Sequence, residues 1–390
     1  MQHDRINHRV KGSGAGALIN SHRKMGMAFK MGPLHAKRRA LLDQLAARIL
    51  TRPHPGRFDP SKVRKVVFLR DNNKLGDLIV STVAIRELKR AGMQVDIITR
   101  EAVAGLLACN PYVDRIYQHG DSIGTVAKLA RSLRGAGYDL LIDQRNEKPT
   151  YKDLLLLRLL GAKHILGFNK AAYPIYDCNI DENFSLKRHA VMRNLDILQA
   201  LDLPVEQVDL TYDAPMGETA EQQVQAWLAS LPAAANLVIN VKGDSPYRSL
   251  TSGQLASIVE WMQCHAPGFN LILTGKPADI ADINLNGVLK SPFADYLSAL
   301  ALVKHADVLI SPDTSIVHAA SAYQRPIVTL YQIDDPATGI YSNAAAWGPN
   351  NPHATQIISD TRSVADIPVA RIIADLATLV SRTNAGQVDV

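Results

Sequence analysis

The chain has 390 residues, 47% hydrophobic and 21% charged, which is apolar material enough for two globular cores. That composition excludes a mainly disordered chain, a collagen-like fibre and a small disulfide-stapled scaffold. The net charge of +6 is unevenly spread: residues 1–65 hold 15 Lys and Arg against three acids, whereas the remaining 325 hold 28 basic and 34 acidic side chains. The basic character therefore belongs to an N-terminal extension, and the body is mildly acidic.

Residues 1–33 are rich in Gly, Ser, His, Lys and Arg, offer little to bury and are expected to be mobile. From Pro33 the pattern changes: Leu34, Leu41, Leu42, Leu45, Ile49 and Leu50 recur at helical spacing beside Lys37, Arg38, Arg39 and Arg48. A basic amphipathic helix of this kind can lie on an anionic membrane surface, or its leucines can dock on the folded body. Nucleic acid is a poor third partner, because neither aromatic interleaving nor a recognisable binding module accompanies the charge. The three cysteines, Cys109, Cys178 and Cys264, are too dispersed for a disulfide framework or a clustered cysteine metal site. No apolar run reaches the roughly 18 residues of a membrane span, and no signal-peptide core opens the chain. The expectation is a cytoplasmic protein of a reducing compartment.

From Lys65 onward β-branched runs alternate with amphipathic helices. Strands are predicted at 65–69, 94–99, 115–118, 139–143 and 164–168, with a loop at 70–77, a helix at 78–91 and a short helix ending near Cys109. A second series follows from Asn236, with strands at 237–240, 270–275, 287–290, 307–311 and 326–331, a helix at 252–266 and a final helix at 364–381. The proline-bearing stretch 203–235 reads as the region between them. Strand–helix alternation of this kind gives parallel sheets covered on both faces, with ligands at the carboxyl ends of the strands. Four segments result: a basic extension (1–60), two α/β domains facing a cleft (61–215 and 216–363), and a C-terminal helix and tail (364–390).

Three loops after strands carry the candidate chemistry. Asp77, in a Gly76-Asp77 pair where a helix begins, is either a helix N-cap or a carboxylate placed to take a proton from an incoming hydroxyl. Gly76 lets backbone and substrate approach closely. In SPDTSIVHAASA (311–322), Asp313, Thr314 or Ser315 can cap a helix whose first N–H groups form an anion site, and His318 lies one turn on. Taken alone, His318 reads rather as a packed, hydrogen-bonded histidine. In NVKGDSPYRSL (240–250), Lys242 and Arg248 can neutralise a leaving diphosphate beside Gly243, or they are solvated loop charges.

Taken in order, these segments resemble glycosyltransferase family 9, the heptosyltransferases of lipopolysaccharide core assembly. The resemblance rests on FLRDNNKLGDLIVSTVAIRELK (68–89), CNPYVDRIYQHG (109–120), GAKHILGF (161–168), RHAVMRNLDILQALDLP (188–204), SPDTSIVHAASAYQRPIVTLY (311–331) and WGPNNP (347–352). It implies a GT-B architecture: two Rossmann-like domains, the first binding the acceptor and the second a nucleotide sugar. It also implies an inverting transfer with no metal or other cofactor, usually from ADP-heptose to an anionic, lipid-linked lipid A–core acceptor at the cytoplasmic face of the inner membrane.

On that resemblance Asp77 matches the catalytic base, with Arg70, Lys74 and Gly76 as acceptor-side candidates. Arg248 stands near a phosphate-contacting lysine, Lys242 and Gly243 lie in the same loop, and Asp313, Thr314 and His318 match a D-T-G-x-x-H motif in which Ser315 replaces Gly. The basic extension suits an acceptor held in a membrane, with residues 34–50 as the contact. The competing readings are a GT-B transferase using another nucleotide sugar and a non-catalytic nucleotide-sugar-binding scaffold.

Overall fold

A computed structural model describes residues 33–51, 56–70, 73–120, 122–145, 147–181, 188–333 and 343–385. The mobility expected for residues 1–33 falls, apart from Pro33, outside the described part.

The first half is built on β1 (Lys65–Arg70), β2 (Gln94–Thr99), β3 (Arg115–Gln118), β4 (Leu140–Asp143), β5 (His164–Phe168) and β6 (Cys178–Ile180). All pair in parallel, in the order β3-β2-β1-β4-β5-β6. Alternation along β1 sends Val66 and Phe68 to one apolar core and Val67 and Leu69 to another, so both faces of the sheet are covered. The second half repeats the plan with β7 (Ala235–Asn240), β8 (Phe269–Thr274), β9 (Val288–Lys290), β10 (Val308–Pro312), β11 (Ile327–Tyr331) and β12 (Ala354–Ile358), ordered β12-β11-β10-β7-β8-β9. Each half thus has the doubly wound order, with switch points between β1 and β4 and between β7 and β10.

The helices are α1 (Pro33–Ile49), α2 (Leu75–Arg90), α3 (Glu101–Ala108), α4 (Ile123–Leu133), α5 (Tyr151–Leu160), α6 (Met192–Ala200), α7 (Glu218–Ala229), α8 (Ser252–His265), α9 (Pro277–Ile280), α10 (Tyr296–Lys304), α11 (Ser315–Ala322), α12 (Asn343–Ala346) and α13 (Val369–Asn384). Local chemistry sets several boundaries. Thr150 with Asp153 and Thr251 with Gln254 form capping boxes at the starts of α5 and α8, and Gly161 ends α5 at φ +78°. One continuous apolar core includes residues of α2, α3 and α6 from the first half and of α7, α10 and α11 from the second, so the halves share buried surface rather than meeting only through a linker. No described helix is long and apolar enough to cross a membrane.

Several elements differ from the sequence expectation. Helix α2 begins at Leu75, not residue 78, which moves Gly76 and Asp77 from the loop into the first helical turn. The stretch 203–235 contains α7, in which only Val224 is fully buried and the apolar stripe is correspondingly faint. Strands β6 and β12 are short edge strands with polar residues and left no alternating signal. The final helix starts at Val369, after a 3-10 turn, and its Ile372, Leu376, Leu379 and Val380 join the core of the second sheet. Helix α1 does dock on the body, but of the apolar stripe only Leu50 is seen to take part. Asp43 accepts the N–H of Tyr151 at 2.7 Å, and Ala46, Ala47 and Leu50 pack on the core beneath α5, whereas Leu41, Leu42, Leu45 and Ile49 stay exposed.

The connection between halves is pinned from both sides. Buried Arg86 on α2 donates to Thr211 O and Asp213 Oδ2, both at 2.8 Å, and to Asp209 O. Asn350 donates to Leu210 O at 2.8 Å, and the Tyr323 hydroxyl donates to Ala214 O. Arg86→Leu leaves these acceptors without their donor, so unfolding free energy should fall by about 3 kcal/mol in urea titration. A change below about 0.5 kcal/mol would mean that the connection does not depend on Arg86.

Candidate active site

A cavity of about 650 Å³ lies between the carboxyl ends of the two sheets, a size suited to a nucleotide-class ligand. From the first half it is lined by residues 73–77. From the second it is lined by the loops after β7, β8, β9 and β10 and by Trp347. The structure brings Lys74, Gly76, Asp77, Lys242, Gly243, Arg248, Asp313, Thr314, Ser315 and His318 to this one cavity.

Arg70 is the exception. It is buried behind the wall, donating to Asp77 O at 3.2 Å and to Ser81 Oγ, which in turn donates to Asp77 O at 2.6 Å. Burial depresses its pKa to about 10, so it is still charged at neutral pH. Arg70 therefore anchors the main chain of Asp77 and is not part of the cavity lining. Asp77 is not the N-cap of α2 either: that position is held by Lys74, which makes no side-chain cap. Exposed Lys74 lies 3.9 Å from Glu147 in the loop that precedes α5.

Gly76 and His318 explain each other. A Cβ on Gly76 would stand 2.6 Å from His318 Cδ2 and 3.7 Å from Ser315 Cα. The first turn of α2 thus lies directly against the first turn of α11, and the glycine's close approach is to protein rather than to substrate. His318 is buried between Tyr212 and Trp347, edge-on to both at ring-centroid distances of 6.2 and 5.9 Å. Burial, reinforced by nearby His189, lowers its pKa to about 3, so the imidazole is neutral at physiological pH. Its Nδ1 is buried with no hydrogen-bond partner among the described residues.

On the opposite wall Thr314 caps α11, its Oγ1 accepting from Ile316 N at 3.2 Å and from Asn240 Nδ2 at 3.0 Å. Arg248 is not a solvated charge: it donates to Asp313 Oδ2 at 2.5 Å and to Asp244 Oδ2 at 3.1 Å. Gly243 is required by this loop itself, because a Cβ there would strike the carbonyl of Arg248. Lys242 and Lys276 also line the cavity and have no ion-pair partner among the described residues.

The sequence reading missed Asn240, the Thr274-Gly275-Lys276 turn, Phe293 to Tyr296, and Trp347. Lys276 had a usable signal, since it follows the predicted strand at 270–275. Tyr296 had none: it opens α10 beyond a three-residue strand, and burial raises its phenol pKa. Among the described residues, His164, Asp177 and Cys178 could share a metal ion. They lie outside the cavity lining, where Asp177 bonds His164 Nδ1 and takes the Ile165 N–H at 2.8 Å.

Two doubly wound halves, facing their post-strand loops across one cavity, define a GT-B architecture. Comparison with known proteins places the chain within that class. The family model described as "Glycosyltransferase family 9 (heptosyltransferase)" matches residues 268–366. A protein of Escherichia coli K12 named provisionally as lipopolysaccharide heptosyltransferase 4 is 27% identical over 345 residues, covering 87% of this chain and 95% of its own. Lipopolysaccharide heptosyltransferase 3 of the same strain is 22% identical, covering 67% of this chain and 80% of its own. The solved E. coli ADP-heptose heptosyltransferase II superposes with a TM-score of 0.66 at 18% identity, over 82% of this chain and 99% of that one. Heptosyltransferase WaaC of E. coli, solved with ADP, gives 0.61 at 15% identity, over 81% and 99%. Over most of its length the chain is similar to lipopolysaccharide heptosyltransferases, with residues 268–366 matching the family 9 model, and it is a glycosyltransferase.

A neutral, buried His318 has a consequence for stability. The unfolded chain takes up its proton near pH 6.5 while the folded chain resists until about pH 3, so stability is full above pH 6.5 and is lost as pH falls through that window. Urea titrations should show a slope steeper in wild type than in His318→Gln by up to about 1.4 kcal/mol per pH unit. Identical slopes would mean that His318 titrates normally in the folded state.

Proposed function

We propose that the enzyme transfers heptose from ADP-heptose to a lipid A–core acceptor by a single inverting displacement that requires no metal ion. The observation carrying this reading is the placement, across one cavity, of a carboxylate on one half and a cationic, helix-N-terminal wall on the other. Asp77 takes the proton of the acceptor hydroxyl as its oxygen bonds to the anomeric carbon from the face opposite the diphosphate. The bond from that carbon to the diphosphate oxygen breaks, and negative charge collects on the departing ADP. Lys242, Lys276 and the first N–H groups of α11 meet that charge, and because they are fixed beforehand little reorganisation is needed as it develops.

Arg248 enters this scheme differently from a free phosphate ligand. Its guanidinium is already shared by Asp313 and Asp244, so it offsets two carboxylates that would otherwise repel a diphosphate. Gly243 and Ser315 belong to the loop and helix turn that set the positions of these groups. Arg70 and Ser81 hold Asp77 through its carbonyl, which fixes where its carboxylate can reach. Support for an ADP-linked donor comes from the relatives' own names, which specify ADP-heptose, bound ADP and bound ADP-2-deoxy-2-fluoro heptose. The reading places the enzyme at the cytoplasmic face of the inner membrane, with residues 34–50 in peripheral contact.

Asp77→Asn should reduce transfer by about 10²- to 10⁴-fold while ADP affinity, measured by calorimetry, is unchanged. Near-wild-type turnover in that variant would remove Asp77 as the base. Lys242→Ala and Lys276→Ala should each weaken ADP binding by about tenfold, the cost of a charge-assisted hydrogen bond. ADP at about 100 times its dissociation constant should stabilise the native state by about 2.7 kcal/mol. Preferential stabilisation by UDP or GDP would keep the transferase and change the sugar, whereas nucleotide binding without turnover on any acceptor would favour the scaffold reading.

A further inference from the structure

Helix α1 has two unlike faces, and only one is used by the fold. At 100° per residue, Asp43, Ala46, Ala47 and Leu50 fall on the side that meets α5 and its core. Leu41, Leu42, Leu45 and Ile49 fall on the opposite side, 56%, 41%, 42% and 72% exposed. Lys37, Arg38 and Arg48 are also exposed and lie on this outer half of the helix. Four large aliphatic side chains in one outward stripe are unusual on a surface that faces only water.

We infer that this outward face of α1 is a docking surface for an anionic lipid bilayer. The choice of occupant rests on charge. Residues 1–49 contain ten Lys and Arg against two acids, Asp4 and Asp43, and Asp43 is turned inward onto α5. Like charge therefore opposes covering the stripe with the preceding segment or with the same face of a second copy, while anionic headgroups complement it. Leucines at the acyl boundary with arginines among the headgroups satisfy both halves of the pattern.

The position of the helix adds a functional consequence that rests on the transferase reading. Asp43 meets the first residue of α5, and α5 begins after the carboxyl end of β4, the end of the first sheet that borders the cavity. A bilayer held by α1 therefore lies beside the half that presents Asp77, which is where a lipid-linked acceptor must arrive.

The test is co-sedimentation of the full-length protein with phosphatidylcholine vesicles prepared with and without phosphatidylglycerol, at low and high salt. Neither sugar donor nor acceptor is present, so the result is independent of the transferase reading. Wild type should bind the anionic vesicles, release in high salt and ignore the neutral ones. The double variant Leu45→Asp/Ile49→Asp should partition about tenfold less, with an unchanged melting temperature because both side chains are exposed. Lys37→Glu/Arg38→Glu should weaken anionic binding in the same way without touching the apolar stripe. Wild-type binding in both variants, or equal binding to neutral vesicles, would overturn the proposal. So would a lipid-free dimer that the Leu45→Asp/Ile49→Asp variant abolishes, since the occupant would then be a second copy.

Discussion

The contact on which the architecture turns is that between the first turns of α2 and α11, where Gly76 has no side chain because His318 fills its space. Each sheet must cover its inner face with helices, and these two come from opposite halves and share one core. The same crossing sets the chemistry. Asp77 follows Gly76 and Ser315 opens α11, so the candidate base and the candidate anion-binding turn are brought together by the packing that joins the halves. The neutral state of His318 belongs to this arrangement, because a charged imidazole wedged between Tyr212 and Trp347 would lack the hydration that stabilises it.

Around that crossing the polar residues act as ties. Asn194, buried on α6, donates to Val80 O at 2.9 Å and accepts from Ala84 N at 3.3 Å, binding α6 to α2. His189 Nε2 lies 2.9 Å from Gly348 O, and Ala190 donates to Ala346 O at 2.8 Å, which closes a second strap between the halves. Arg193 stacks over Trp347 at 5.8 Å. The segments 188–204 and 347–352, prominent in the family resemblance, thus meet at the junction, and only Trp347 of those named here reaches the cavity wall. Much of the resemblance reports how two domains are held, rather than what they bind.

The cavity balances acids against cations. Asp313 and Asp244 are matched by Arg248, Asp295 caps α10 through Ser298 at 2.9 Å, and Lys242 and Lys276 have no ion-pair partner among the described residues. The cationic character of the cavity thus comes from individual lysines beside a neutralised arginine, rather than from a uniform basic patch.

The sequence by itself determined the two parallel α/β halves, because β-branched runs and amphipathic helices have distinct periods that need no tertiary information. It also placed Asp77, Lys242 and the 313–318 turn directly after strands, and the carboxyl ends of parallel strands are where such sheets hold ligands. It could not distinguish Arg70, buried as an anchor, from Lys74 on the cavity wall, since both are cations in the same loop and only packing separates them. Nor could it show that Arg248 was engaged by Asp313, a partner 65 residues away. The faint α7 and the short edge strands β6 and β12 lacked a periodic signal because each buries too little of itself to need one. The orientation of α1 was decided by a single long-range hydrogen bond, Tyr151 N–H to Asp43, together with three small or aliphatic contacts. Periodicity is local and legible along the chain, whereas which face is buried, and which charge is matched, depends on residues that only folding brings within reach.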